Sequence, residues 1–234
     1  MIQPLSDIDF QSGAILCFDK PLDWTSFDVV NKVRWIICKR LKTKKLKVGH
    51  TGTLDPKATG LVILCTGKAT KTIETLQLEE KEYIATLKLG ATTPSFDLET
   101  EEDNNFPTQH ITLDIIEQKL KGLIGEIDQI PPIFSAIKVN GKRAYDSARG
   151  GKDIELEARK IVIKKIEIQK FDMPQLVLRV TCGKGTYIRS LARDLGESLG
   201  CGAYLIGLRR TRIGSNKVEN AWSIENFEKN LELM

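Results

Sequence analysis

Residues 159–213 read RKIVIKKIEIQKFDMPQLVLRVTCGKGTYIRSLARDLGESLGCGAYLIGLRRTRI. Two pieces of this stretch, RKIVIKKIEIQKFD and PQLVLRVTCG, alternate apolar and polar residues at the period of a half-buried strand, and they lie close enough to pair as neighbours. GTYIRSLARDLGESLG then changes to helical spacing, with Thr186 placed to open the helix and Gly200 to close it. AYLIGLRRTRIG returns to strand. Strands paired locally, with helices inserted between others, give an α+β fold built on a mixed, largely antiparallel sheet flanked by helices.

The same grammar extends outward. GAILCFDKP reads as a strand ending at Pro21, and Thr25 or Ser26 can cap a helix whose apolar positions Val29, Val33, Ile36, Ile37 and Leu41 recur at helical spacing. GLVILCTG is a buried strand, KATKTIETLQ a helix and EYIATLKLG an alternating strand. Residues 91–110 have no periodicity and are expected to form a loop. Thr112 to Lys121 carries helix signals, Pro131-Pro132 must interrupt regular structure, and FSAIKVNGKRAYDSARGG reads as a strand, an Asn140-Gly141 turn and a short helix. WSIENFEKNL is a final helix. No repeat, low-complexity tract or linker divides the chain, so one domain over 1–234 is expected.

Composition narrows the function. With 234 residues, 41% of them apolar, the chain can bury an ordinary core. The N-terminus MIQPLSDIDFQSG has neither a basic n-region nor an apolar h-region, and runs such as LVIL are far too short to span a bilayer, so a cytoplasmic location is expected. Cysteines at 17, 38, 65, 182 and 201 form no C-x-x-C pair, and only His50 and His110 are available, so neither a zinc site nor a disulfide framework is supported. Gly67-Lys68 and Gly183-Lys184 lack both the upstream Gly and the following Ser or Thr of a P-loop. The chemistry is expected to proceed without a protein-bound transition metal.

Net charge is only +4, but its distribution is uneven. No Asp or Glu occurs from Val29 to Leu54, while Lys32, Arg34, Lys39, Arg40, Lys42, Lys44, Lys45 and Lys47 are cationic. An acidic segment, Asp97, Glu99, Glu101, Glu102 and Asp103, answers this run, so one face can be positive on a nearly neutral molecule. The run is either a docking face for a polyanion or a solvated helix face. At its end stands GHTGTLDPKATG, Gly49 to Gly60, with a single carboxylate, Asp55, before a proline among small residues. Asp55-Pro56 either starts a turn or holds a pre-positioned acid. Arg189 is the second anomaly: three residues after Thr186, it puts a cation in the first turn of a helix, where the dipole disfavours it by roughly 0.3–1 kcal/mol. It either neutralises an acid or phosphate in a cleft or is an exposed arginine in an imperfect helix.

GHTGTLDPKATG resembles the catalytic motif of the TruB-type tRNA pseudouridine synthases. The resemblance continues in order through KEY at Lys81 to Tyr83, QIPPIFSAIKVNGKRAYDSAR from Gln129 to Arg149 and CGKGTYIRSLARDLGESLGCGAYLIGLRR from Cys182 to Arg210, covering nearly the whole chain. It implies a pseudouridine synthase-like fold and isomerisation of the T-loop uridine of tRNA, position 55, without cofactor. It also implies roles: Asp55 as the essential catalytic carboxylate, Arg189 as its ion-pair partner, and Tyr83 against the target base as a candidate for proton transfers. His50 would enter the RNA loop in place of the flipped base. Lys20 in DKP would lie near the pocket and Leu208 in GLRR would form an apolar pocket wall. Lys42, Lys44, Lys45 and Lys47 are the expected phosphate contacts, and the T-arm stem-loop is the expected partner. Apart from the resemblance, Tyr83 reads as a core aromatic and His50 as a structural histidine.

Two departures accompany the match. The family pattern Thr-Asp-Thr-x-Asp-x-x-Gly is replaced by Thr93-Pro94-Ser95-Phe96-Asp97-Leu98-Glu99-Thr100, which alters the loop after Tyr83. No C-terminal PUA domain like that of larger members is expected, which favours a stand-alone enzyme over the guide-RNA-dependent dyskerin-type synthases, with no guide RNA or obligate protein partner expected. From another class, a non-catalytic tRNA-binding protein or folding chaperone would keep the basic cleft without the intact Asp55, Tyr83 and Arg189 set.

Overall fold

The structure, a computed structural model, describes residues 5–135 and 156–233 together with the backbone of 138–139 and 142–143. The expected Asn140-Gly141 turn and the helix after it lie outside the described residues. Contacts divide the chain into two compact units, Met1–Tyr83 with Leu208–Met234, and Ile84–Gly207.

In the first unit β1 (Ile15–Lys20) pairs antiparallel with β3 (Ala58–Thr66), which also pairs antiparallel with β2 (Val48–His50). Leu61 to Cys65 are all 0% exposed, so this apolar run is buried on both faces and reads without alternation for that reason. Helix α1 (Ser26–Arg40) starts at a reciprocal cap: the Thr25 hydroxyl accepts the Asp28 N–H and the Asp28 carboxylate accepts the Thr25 N–H. Its face of Val29, Val30, Val33, Ile36 and Ile37 is buried, whereas Leu41 is the C-cap and exposed. Helix α2 (Ile73–Leu78) follows a 3₁₀ segment and leads into β4 (Lys81–Leu89), in which every second residue is buried.

The second unit holds a two-stranded pair, β5 (Ala91–Thr92) with β6 (Asn104–Asn105), so residues expected as pure loop contribute a short ladder that their lack of periodicity could not reveal. Helix α3 (Leu113–Lys121) is capped by the Thr112 hydroxyl, and β7 (Gly125–Gln129) follows. A two-residue pair, β8 (Lys138–Val139) with β9 (Lys142–Arg143), comes next. The strands that opened the sequence argument are β10 (Arg159–Asp172) and β11 (Gln175–Cys182), neighbours as expected and antiparallel, with β7 on the other side of β10. Helix α4 (Ile188–Leu199) ends at Gly200 in the left-handed conformation, φ 68°, as its position promised. Its start differs from expectation. The N-cap is Tyr187, because the Gln129 amide brackets that residue, accepting its N–H at 2.9 Å and donating to its carbonyl at 3.1 Å. Thr186 donates instead to the Gly183 carbonyl.

Strand β12 (Ala203–Ile213) belongs to both units, as β4 does. In the first unit it pairs parallel with β3, Leu208 opposite Ala58 and Arg210 opposite Gly60, and antiparallel with β13 (Asn216–Lys217). The fold is thus α+β with mixed, largely antiparallel pairing. Helix α5 (Ile224–Glu232) is capped by Ser223 and docks on α1, where Lys32 meets Glu228 at 2.7 Å and Lys39 meets Glu232 at 3.1 Å. Its Phe227 is 0% exposed and meets the rings of Phe10, Phe18 and Trp222 edge to face.

Candidate active site

Asp55 lies half-buried between β2 and β3, and its neighbours in the chain are fixed on both sides. Because Thr25 caps α1, the next hydroxyl, Ser26, is available for another task. Buried at 2% exposure, it accepts the Leu54 N–H at 2.8 Å and donates to the Leu54 carbonyl at 3.2 Å. On the far side the Pro56 carbonyl accepts the Asp23 N–H at 2.9 Å and the Lys20 ammonium at 3.5 Å. The Ala58 N–H donates to the Asp55 carbonyl, closing a turn. The turn reading of Asp55-Pro56 is therefore met, and the backbone on both sides of Asp55 is anchored.

Two cations stand behind this loop. Lys20, at the end of β1, is 0% exposed and also donates to the carbonyls of Trp24 at 2.6 Å and Pro21 at 3.0 Å. Burial draws its pKa down to about 8, with the Arg210 charge acting in the same sense and the Asp55 charge opposing. The residue expected near the pocket is thus a sealed support of the Asp55 loop rather than a surface contact. Arg210, 2% exposed, donates to the carbonyls of Leu61 at 2.7 Å, Gly52 at 3.3 Å and Thr53 at 3.4 Å. Its close register depends on Gly60, where a Cβ would lie 2.3 Å from the Arg210 carbonyl oxygen.

His50 ends β2, and its Nδ1 accepts the Gly52 N–H at 3.3 Å. Burial lowers its pKa and the Arg210 charge adds to that, which favours a neutral ring. Leu208 is half-buried and opposite Ala58, three residues beyond Asp55. Tyr83 is buried at 8% exposure in β4. The loop therefore gathers Lys20, His50, Asp55 and Leu208 through direct or registered contacts. Lys42, Lys44, Lys45 and Lys47 are all exposed on the segment joining α1 to β2, and they form no ion pair among the described residues, unlike Lys32 and Lys39.

In the second unit Arg189 is 4% exposed, not a surface residue, and occupies the first turn of α4. Its guanidinium donates to the carbonyls of Phe134 at 2.8 Å and Ser95 at 3.3 Å, and its Nε lies 3.6 Å from the Asp97 carboxylate. Asp97 is buried, its carboxylate accepting the Ser95 hydroxyl at 2.6 Å and the Glu99 N–H at 2.9 Å. The altered loop is organised around it. Phe96 takes the left-handed conformation, φ 61°, and Thr100, where the family pattern has Gly, binds Ser95 through its hydroxyl. The acidic segment is accordingly not a plain negative surface, since Asp97 faces inward and Glu102 binds Lys88 and Tyr204.

Sequence reasoning missed Arg210, Ser26 as a loop anchor and Asp97 as a buried acid. Only Ser26 left a trace, as the second of two candidate caps side by side. For Arg210 no spacing signal existed, because the LRRTR run shows no alternation that would mark one arginine as inward.

Residues 39–188 match the family model described as TruB family pseudouridylate synthase, N-terminal domain, and 189–234 match that of the tRNA pseudouridylate synthase B C-terminal domain. The tRNA pseudouridine synthase B of Phocaeicola vulgatus is 58% identical over 96% of this chain and 96% of its own length. That of Flavobacterium johnsoniae is 51% identical over 96% and 98%. Among solved structures, a Cbf5-Nop10-Gar1 complex matches 94% of this chain at 30% identity and TM-score 0.68. An H/ACA RNP bound to a substrate RNA containing 2'-deoxyuridine matches 94% at 30% and 0.66. The chain spans about half of each matched chain in these two structures, 54% and 53%. With both family models matched end to end and relatives of similar length more than half identical, the chain belongs to the TruB family of pseudouridylate synthases.

Proposed function

We propose that this protein is a tRNA pseudouridine synthase that isomerises the T-loop uridine at position 55, acting on the T-arm stem-loop without a guide RNA or an obligate protein partner, in the cytoplasm. The observation that carries the reading is the Asp55 loop, a carboxylate between two peptides anchored by Ser26, Asp23 and Lys20. Relatives of the same length carry the name tRNA pseudouridine synthase B, which supports tRNA as the substrate, whereas the matched chain of the Cbf5-Nop10-Gar1 complex is about twice as long.

The reaction breaks the bond from C1′ to N1, turns the base, and joins C1′ to C5; C5 loses a proton and N1 gains one, with no net redox change. The uridine must leave its stack, at a cost of a few kcal/mol offset by contacts to the RNA. Asp55 attacks C1′, adds at C6, or removes a sugar proton; all three routes use one fixed carboxylate. In this proposal Arg189 stabilises that carboxylate, Tyr83 serves the proton transfers, His50 fills the space left by the base, Leu208 walls the pocket, and Lys42, Lys44, Lys45 and Lys47 bind phosphates.

Asp55→Asn is expected to abolish pseudouridine formation, read by carbodiimide labelling of tRNA, while tRNA affinity stays within about tenfold of wild type. Binding that disappears in parallel with activity would support the non-catalytic tRNA-binding reading instead.

A further inference from the structure

Arg210 is a buried cation whose partners among the described residues are carbonyl oxygens and no carboxylate. A guanidinium so placed forgoes hydration without the compensation of an ion pair, an arrangement that costs stability unless the geometry it enforces is of use. Its fork reaches two successive carbonyls, Gly52 and Thr53, while its Nε holds Leu61 on β3. Gly52 in turn donates its N–H to His50 Nδ1, and Thr53 is two residues from Asp55. One side chain on β12 therefore grips the peptide midway between the two functional side chains of the loop.

Building on the proposed function, we propose that Arg210 is a positioning residue for the isomerisation, fixing the Gly52-Thr53 peptide so that His50 and Asp55 are presented together. A second feature supports this. The elements packed on β2 carry Cys65 on β3, Lys68 and Lys71 on the 3₁₀ segment, and the charges of α1, yet Arg210 is the charge that acts on the His50 ring, in the direction that keeps it neutral. The Gly52 N–H engages the Nδ1 lone pair, so the ring's proton sits on Nε2. The same arginine thus fixes the place of His50 and adds its charge to the burial that keeps the ring neutral.

The test compares wild type, Arg210→Lys and Arg210→Gln in three measurements: tRNA affinity, single-turnover rate on saturated tRNA, and the NMR titration of His50 in the free protein, one of only two histidines in the chain. Arg210→Gln should lower the single-turnover rate about 100-fold, as expected for a loop displaced by about 1 Å, with tRNA affinity within about threefold. His50 should then titrate at higher pH than in wild type. Arg210→Lys keeps the charge but not the fork, so it should lose about tenfold in rate with His50 titrating as in wild type. Should the glutamine variant fail to fold, the lysine variant decides alone: wild-type turnover overturns the proposal, and a reduced rate with unchanged affinity upholds it. An unchanged His50 titration in a folded Arg210→Gln protein overturns it as well. Wild-type inactivity on tRNA would refute the proposed function itself, whereas the His50 titration, which needs no substrate, judges Arg210 independently.

Discussion

Lys20→Met tests the burial of the lysine behind the Asp55 loop. An unfolded lysine titrates near 10.5, and burial brings Lys20 to about 8 in the folded protein. Between those values the unfolded chain binds more protons than the folded one, so stability rises with pH. Below pH 8 the folded state carries the full cost of the buried charge; above 10.5 that cost is gone. At about 1.4 kcal/mol for each pH unit between the two values, the difference comes to about 3–4 kcal/mol. Other groups also titrate in alkali, so the quantity to follow is the unfolding free energy of wild type minus that of the methionine variant, from urea titrations at pH 7, 8, 9 and 10. The variant gives up three carbonyl hydrogen bonds and a charge together, so the offset at pH 7 carries no test of the argument. The slope does: the difference should shift in favour of wild type by about 2 kcal/mol between pH 8 and pH 10. A difference flat across that range would show that Lys20 is hydrated, and the buried support drawn for the Asp55 loop would be wrong.

Ser26→Ala leaves the Leu54 N–H and carbonyl without their buried partner, and should cost about 2–3 kcal/mol in urea denaturation. A loss under about 0.5 kcal/mol would mean that the loop is held elsewhere. Changing Lys42, Lys44, Lys45 and Lys47 together to Ala should weaken tRNA binding and flatten its salt dependence by about 0.7–0.9 in slope for each phosphate no longer neutralised, with the rate from the saturated complex little altered. Unaltered affinity and slope would make the segment a solvated surface and move the search for the docking face to Lys138, Lys142, Arg143 and Arg149.

What could be read from sequence was what local spacing encodes. The alternation of β4, the neighbours β10 and β11, the cap offered by Thr25 or Ser26, and the Gly200 stop all follow from residues within one or two turns of each other. GHTGTLDPKATG announced a constrained carboxylate because glycine and proline carry their backbone limits wherever they stand. What escaped were polar groups whose partners are far along the chain. Gln129 reaches 58 residues to displace the cap expected at Thr186, Arg210 reaches 149 residues to Leu61, and Arg189 reaches 94 to Ser95. A charged residue in a polar stretch looks the same in sequence whether it ends in water or against a carbonyl. Asp97 was grouped with its acidic neighbours for that reason.

The aromatic cluster around Phe227 has a practical bearing on how the enzyme can be handled. Phe18 stands two residues before Lys20 on β1, and its ring centroid lies 5.0 Å from that of Phe227 on α5. The other end of the same helix clasps α1, whose first residue, Ser26, anchors Leu54. Helix α5 is therefore tied to the Asp55 loop along two routes. An affinity tag is best appended after Leu233 with α5 left whole, and a chain trimmed before residue 224 would be expected to lose activity through a collapsed scaffold, an outcome easily misread as a weakened grip on RNA.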